Sequence, residues 1–106
     1  VKTIHRYKVA ASEKPQPIEM TEGARVVSVG ARPRDPGSVS LWAEVDTEAE
    51  TKTRWFLITG TGHPIPRCAD TADGGERQLR FIGTVPLPEF GLVWHVWGVP
   101  WGASLV

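Results

Sequence analysis

Glycine and proline punctuate this chain so closely that a helix of ordinary length has nowhere to form. Eleven glycines and nine prolines are spread over 106 residues. A helix interior suits neither: glycine loses backbone entropy there, and proline removes a hydrogen bond and clashes with the preceding turn. Between the breaks stand Trp, Val, Ile, Thr and Phe, whose flat or branched side chains pack well on a pleated strand. Six or seven segments qualify: Thr3–Val9, a short Pro17–Met20, Ala24–Ala31, Ser38–Asp46, Arg54–Thr59, Arg77–Pro86 and Leu92–Val99. They predict an all-β fold, a small antiparallel β-sandwich or partly open barrel of six to seven short strands. The whole of 1–106 reads as a single β domain with a long loop at about 60–75 and a short C-terminal tail at 100–106. Hairpins are expected to dominate, because only the long loop has room for a crossover.

Alternation assigns faces. Ser38–Asp46 is the cleanest case: Val39, Leu41, Ala43 and Val45 form an apolar face, and Trp42 is a large ring on the polar side. Thr3–Val9 places Ile4, Arg6 and Lys8 opposite His5, Tyr7 and Val9; a basic face suits an edge strand, where charge discourages pairing with other chains. In Ala24–Ala31, Val27 and Val29 are expected on one face with Val26 and Ser28 on the other. In Arg77–Pro86, Leu79, Phe81 and Val85 are expected opposite Ile82. Arg54–Thr59 is apolar on both faces and should lie centrally, with Trp55 and one of Trp94 or Trp97 in the core.

Composition excludes several classes of function. Twelve Lys and Arg balance twelve Asp and Glu, so nothing pulls the whole molecule toward nucleic acid, and little repulsion opposes self-association. A nucleic-acid partner is therefore not expected, although a stripe of scattered arginines with exposed Trp rings is the form such a site would take. The single cysteine, Cys68, permits no internal disulfide and forms no zinc spacing. No run approaches the roughly 20 apolar residues of a membrane helix, and the first residues lack the apolar core of a signal peptide. No cofactor motif is present: the Gly60–Pro64 turn lacks the lysine of a P-loop, and no GxGxxG occurs.

Taken in order, His5-Arg6-Tyr7-Lys8-Val9, Ile18-Glu19-Met20, Gly23-Ala24-Arg25, Ser28-Val29, Leu41-Trp42-Ala43-Glu44-Val45-Asp46, Gly60-Thr61-Gly62-His63-Pro64-Ile65, Phe81-Ile82-Gly83-Thr84-Val85 and Leu92-Val93-Trp94-His95-Val96 resemble a family of short bacteriophage and prophage proteins described only as a domain of unknown function. The resemblance covers about residues 3 to 97, and the ending from Gly98 departs from it. It implies a phage accessory protein and assigns no catalytic residue; with no signal peptide or membrane helix read from the residues, the expected compartment is the host cytoplasm.

Candidate sites come from the residues. Gly60, Thr61, Gly62 and His63, with Arg54 and Arg67 nearby in sequence, form a ligand-binding candidate, since glycine turns present backbone N–H groups to anions and a histidine beside them can serve as acid or base. The plainer reading of the same residues is a strand ending in a tight turn. Trp42 and Trp101 are interaction-surface candidates, because an exposed Trp covers a large contact area at little entropic cost. His5 and His95 would form a weak metal or proton site if their strands paired, although a histidine on an apolar strand is ordinarily a packed residue holding one or two hydrogen bonds. No triad or activated nucleophile is discernible. The expected function is binding rather than catalysis, to a host protein or to a second copy. The alternatives are capture of a small molecule or nucleotide signal by the Gly60–Ile65 loop, and a minor virion component.

Overall fold

The computed structural model describes residues 1–66 and 79–99. Seven strands follow in chain order: β1 (Lys2–Ala10), β2 (Gln16–Thr21), β3 (Arg25–Ala31), β4 (Ser38–Asp46), β5 (Thr51–Gly60), β6 (Arg80–Leu87) and β7 (Leu92–Val99). They form two antiparallel sheets, one ordered β1-β4-β3 and the other β2-β5-β7-β6, packed as a sandwich and not closed into a barrel. The only helical turn among the described residues is a 3₁₀ turn at Pro88–Phe90, which Gly91 ends in the left-handed conformation.

Residue chemistry explains which strands lie at the edges. β1, with Lys2, Arg6 and Lys8, is an edge strand. β2 and β6 contain Pro17 and Pro86 and are the two edges of the other sheet, where a missing N–H breaks no ladder on the open side. The interior strands β4, β5 and β7 carry the longest apolar runs. The core between the sheets is built from Val9, Val39, Leu41, Ala43 and Val45 on one side and Met20, Phe56, Ile58, Val85, Leu87 and Val96 on the other. Each fully buried Val, Leu or Phe contributes about 1.5–3 kcal/mol relative to exposure.

The connections differ from expectation. Only β3–β4 and β6–β7 are hairpins within a sheet; the links β1–β2, β2–β3 and β4–β5 each cross from one sheet to the other. The charged stretch Thr47–Thr53, whose length suits a hairpin loop, instead arches over at Thr47–Glu50 and enters β5 at Thr51. Two face assignments also change, both at bulges. The register slips between Val26 and Ser28, so Val26 and Val29 both pack on the core and Val27 is turned outward. It slips again between Phe81 and Gly83, so Ile82 and Val85 face inward while Phe81 is exposed. A bulge inserts one residue without a cross-strand partner and reverses the alternation beyond it. Trp55 changes place for a simpler reason. Its neighbours Phe56 and Ile58 occupy the inner face, and Trp55 is 41% exposed on the outer one.

Cross-sheet ties complete the packing. The half-buried Arg54 guanidinium donates to the Ala24 carbonyl at 2.6 Å and lies 5.5 Å from the Phe56 ring centroid. Burial and the nearby Arg80 push its pKa down. Trp94 donates its indole N–H to the Pro36 carbonyl at 2.7 Å, joining β7 to the β3–β4 turn.

Candidate functional site

Three regions bear on function. The first is the turn after β5. Gly62 has φ of +85°, a left-handed conformation that glycine adopts without strain, and the His63 N–H donates to the Gly60 carbonyl at 3.1 Å. β2 accompanies β5 only as far as Gln16 opposite Phe56, so the last residues of β5 run on past it. A cleft of about 510 Å³ opens there, lined by Ser12, Glu13, Leu57, His63, Pro64 and Trp94 among others. Arg54 does not reach it, because it stands six residues back along β5 and bonds to Ala24. Arg67 lies outside the described residues. The ionisable residues of the lining are Glu13 and His63, and the rest is largely apolar, which suits a neutral ligand better than a phosphate.

The second region is the outer face of the four-stranded sheet. Trp97 is in register with Leu57 on β5 and Phe81 on β6, and it meets Phe81 edge-on with ring centroids 5.2 Å apart. One step along, Trp55 is in register with Pro17 on β2 and Val99 on β7. Phe81 is 53% exposed, and with Trp55 it makes an aromatic patch. The Trp97 indole N–H is satisfied by the Thr59 hydroxyl at 3.0 Å.

His95 lies on this same face. Its Nε2 is 2.8 Å from the Thr61 hydroxyl and its Nδ1 is 3.1 Å from the Thr84 hydroxyl. Both ring nitrogens are thus engaged, which orients the imidazole. A Thr61–His95 pair has the spacing of a nucleophile and a base, but the third group is a hydroxyl rather than a carboxylate and cannot neutralise an imidazolium. His5 is on β1, in the other sheet, so the strands of His5 and His95 do not pair. No group of three His, Cys, Asp or Glu among the described residues is placed to hold a metal.

The third region is the outer face of the three-stranded sheet. Register sets Trp42 between Arg6 on β1 and Ser28 on β3, with its benzo edge against Gly30: a Cβ on Gly30 would stand 3.0 Å from Trp42 Cζ3. Arg32 donates from Nη1 to Ser40 Oγ at 3.2 Å, while its buried Nε has no partner among the described residues. Asp35 accepts from the Ser38 hydroxyl at 2.6 Å and pairs with the Lys8 ammonium at 3.1 Å. The Ser38 hydroxyl first, and Lys8 next, hold its carboxyl below the usual aspartate range.

A folded-state pKa below the unfolded value means that the contacts of Asp35 stabilise above roughly pH 3.9 and are lost as pH falls through the lower folded value. The expected result is that Gly37 and Ser38 amide resonances move together below about pH 4, and that Asp35→Asn abolishes the transition. Resonances that move only near pH 4 or above, or that titrate equally in the variant, would contradict the assignment.

The sequence indicated Trp42 but not the arginines around it, which come from 6, 32 and 34. It also carried no signal for the Thr61–His95–Thr84 arrangement, because that depends on β7 lying between β5 and β6. Trp101 lies outside the described residues. Residues 1–103 match the family model described as a domain of unknown function (DUF7352). No curated protein and no solved structure matches the chain.

Proposed function

The chain belongs to this family of unknown function, and we propose that it is a binding protein, a bacteriophage accessory factor that engages a protein partner through the outer face of its four-stranded sheet. The observation that carries the reading is the aromatic patch of Trp55, Phe81 and Trp97. Two of its rings are more than two-fifths exposed on a sheet whose opposite face already supplies the core. Exposed aromatics grouped on one face resemble the anchors of protein interfaces more than the scattered apolar residues of an ordinary surface. The phage setting rests on the sequence resemblance, and the zero formal charge favours a second copy or a host protein alike.

The test is direct, because these side chains point away from the core. The double variant Trp55→Ala, Phe81→Ala is expected to keep the wild-type melt while losing partner capture from host extract or, for a self-associating protein, falling to monomer mass in light scattering. A variant that keeps both its mass and its captured partner would sink the proposal.

The cleft beside Gly60–Pro66 supports a second reading, capture of a small molecule. Its volume of about 510 Å³ is that of a ligand pocket. Its apolar walls favour a neutral compound over the nucleotide signal that the glycine turn alone brings to mind. A minor virion component is a further possibility, which mass spectrometry of purified particles would identify.

A further inference from the structure

The geometry points to a nucleoside phosphate site on the opposite side of the molecule, in the cavity where Trp42 meets Arg6, Arg32 and Arg34. This site is independent of the aromatic patch proposed above. The cavity measures about 410 Å³, within the range of small-molecule pockets, and Asp35 and Ser40 complete its polar lining.

Three observations combine. First, three arginines line one cavity, and among the described residues none of them has a carboxylate within ion-pair distance. The acids of this face are already taken: Asp35 by Lys8, and Glu44 by Lys2 and Arg25. In a chain of zero net charge, this is a local excess of positive charge at a concave place. Guanidinium is the group that binds phosphate oxygens in a bidentate fork.

Second, the cavity contains an aromatic ring. Trp42 sits in the middle strand of its sheet, held with one edge over Gly30, and supplies an indole against which a base can stack. An anion site for inorganic phosphate has no need of such a ring.

Third, the guanidinium of Arg32 is positioned beforehand. Its Nη1 donates to Ser40 Oγ at 3.2 Å, which orients the guanidinium plane before a ligand arrives. Asp35, held as a carboxylate by Ser38 and Lys8, supplies an acceptor for a ribose hydroxyl or a base amino group. It also repels a bare anion. The lining therefore favours a ligand with both an anionic end and a donor-bearing ring over a simple anion.

Isothermal titration at low salt with nucleoside 5′-monophosphates, the matching nucleosides, inorganic phosphate and a short single-stranded oligonucleotide tests the assignment on the intact chain. Monophosphates are expected to bind, more tightly than inorganic phosphate or nucleoside, and to weaken as salt rises. Arg6 and Arg34 are exposed, so Arg6→Ala with Arg34→Ala is expected to leave the melt unchanged and reduce affinity at least tenfold. Trp42→Leu is expected to lose roughly ten- to a hundredfold, the range of base–aromatic stacking. Because that ring also packs on Gly30, the Trp42 indole resonance of the wild-type protein provides the independent readout and should shift on titration. Absence of binding at several millimolar nucleotide would overturn the inference. So would equal affinity for inorganic phosphate, binding confined to the oligonucleotide, or undiminished affinity in the arginine double variant.

Discussion

Phe56→Ala should cost about 3–5 kcal/mol, while Trp55→Ala, one residue away on the same strand, should cost under about 1 kcal/mol. The contrast follows from the pleat. Phe56 is fully buried in the core, and Trp55 is two-fifths exposed on the other side. Removing the Phe56 ring leaves a cavity that neighbouring strands refill only in part. It also strips the aromatic face from beneath Arg54, whose half-buried guanidinium lies 5.5 Å from the ring centroid. Since domains of this size are stable by about 5–15 kcal/mol, the variant should unfold at a clearly lower urea midpoint with an unchanged slope. Equal midpoints for Phe56→Ala and Trp55→Ala would mean that the facing of β5 is misassigned.

Gly83→Val should be the second large effect. A Cβ at Gly83 would stand 2.7 Å from Val29 Cγ2, closer than two carbons can approach. Gly83 lies on β6 and Val29 on β3, the strands that meet where the two sheets close on one side of the sandwich. Something in that seam must shift to admit a side chain at Gly83. Overpacking of this kind costs about 1–3 kcal/mol, which corresponds to a fall in Tm of roughly 4–8 °C per kcal/mol for a domain of this length. The φ of Gly83 is not positive, so the penalty is steric and not conformational. A second change should then relieve it: Val29→Ala in the Gly83→Val background is expected to recover most of the loss, although Val29→Ala alone destabilises. Melts in which the two substitutions simply add would show that these residues do not touch.

The strands themselves were legible because their signals are local. Ser38–Asp46 and Leu92–Val99 run as the residue pattern indicates. The alternation of Val39, Leu41, Ala43 and Val45 against Ser40 and Trp42 names the buried face, since successive side chains on a pleated strand must point opposite ways. The misassigned faces all have physical causes that a pattern does not carry. Val27 and Phe81 sit at bulges. Trp55 yields the core to Phe56 and Ile58, although its own hydrophobicity is as great.

Strand partners were not legible. A backbone edge offers the same donors and acceptors whatever its sequence, so Thr47–Glu50 can close a hairpin or arch over to the facing sheet. Here it arches, and β7 instead of β4 becomes the neighbour of β5. The functional surfaces follow from that choice. Placing β7 between β5 and β6 puts Trp97 beside Phe81 and His95 between Thr61 and Thr84. Placing β4 between β1 and β3 brings Arg6 and Trp42 together with Arg32 and Arg34. The residues dictated strands, an all-β class and the faces wherever alternation runs unbroken, as in β4, because those depend on neighbours in the chain. The sheets into which the strands sort, and therefore every candidate surface, depend on contacts between residues tens of positions apart, which no local pattern specifies.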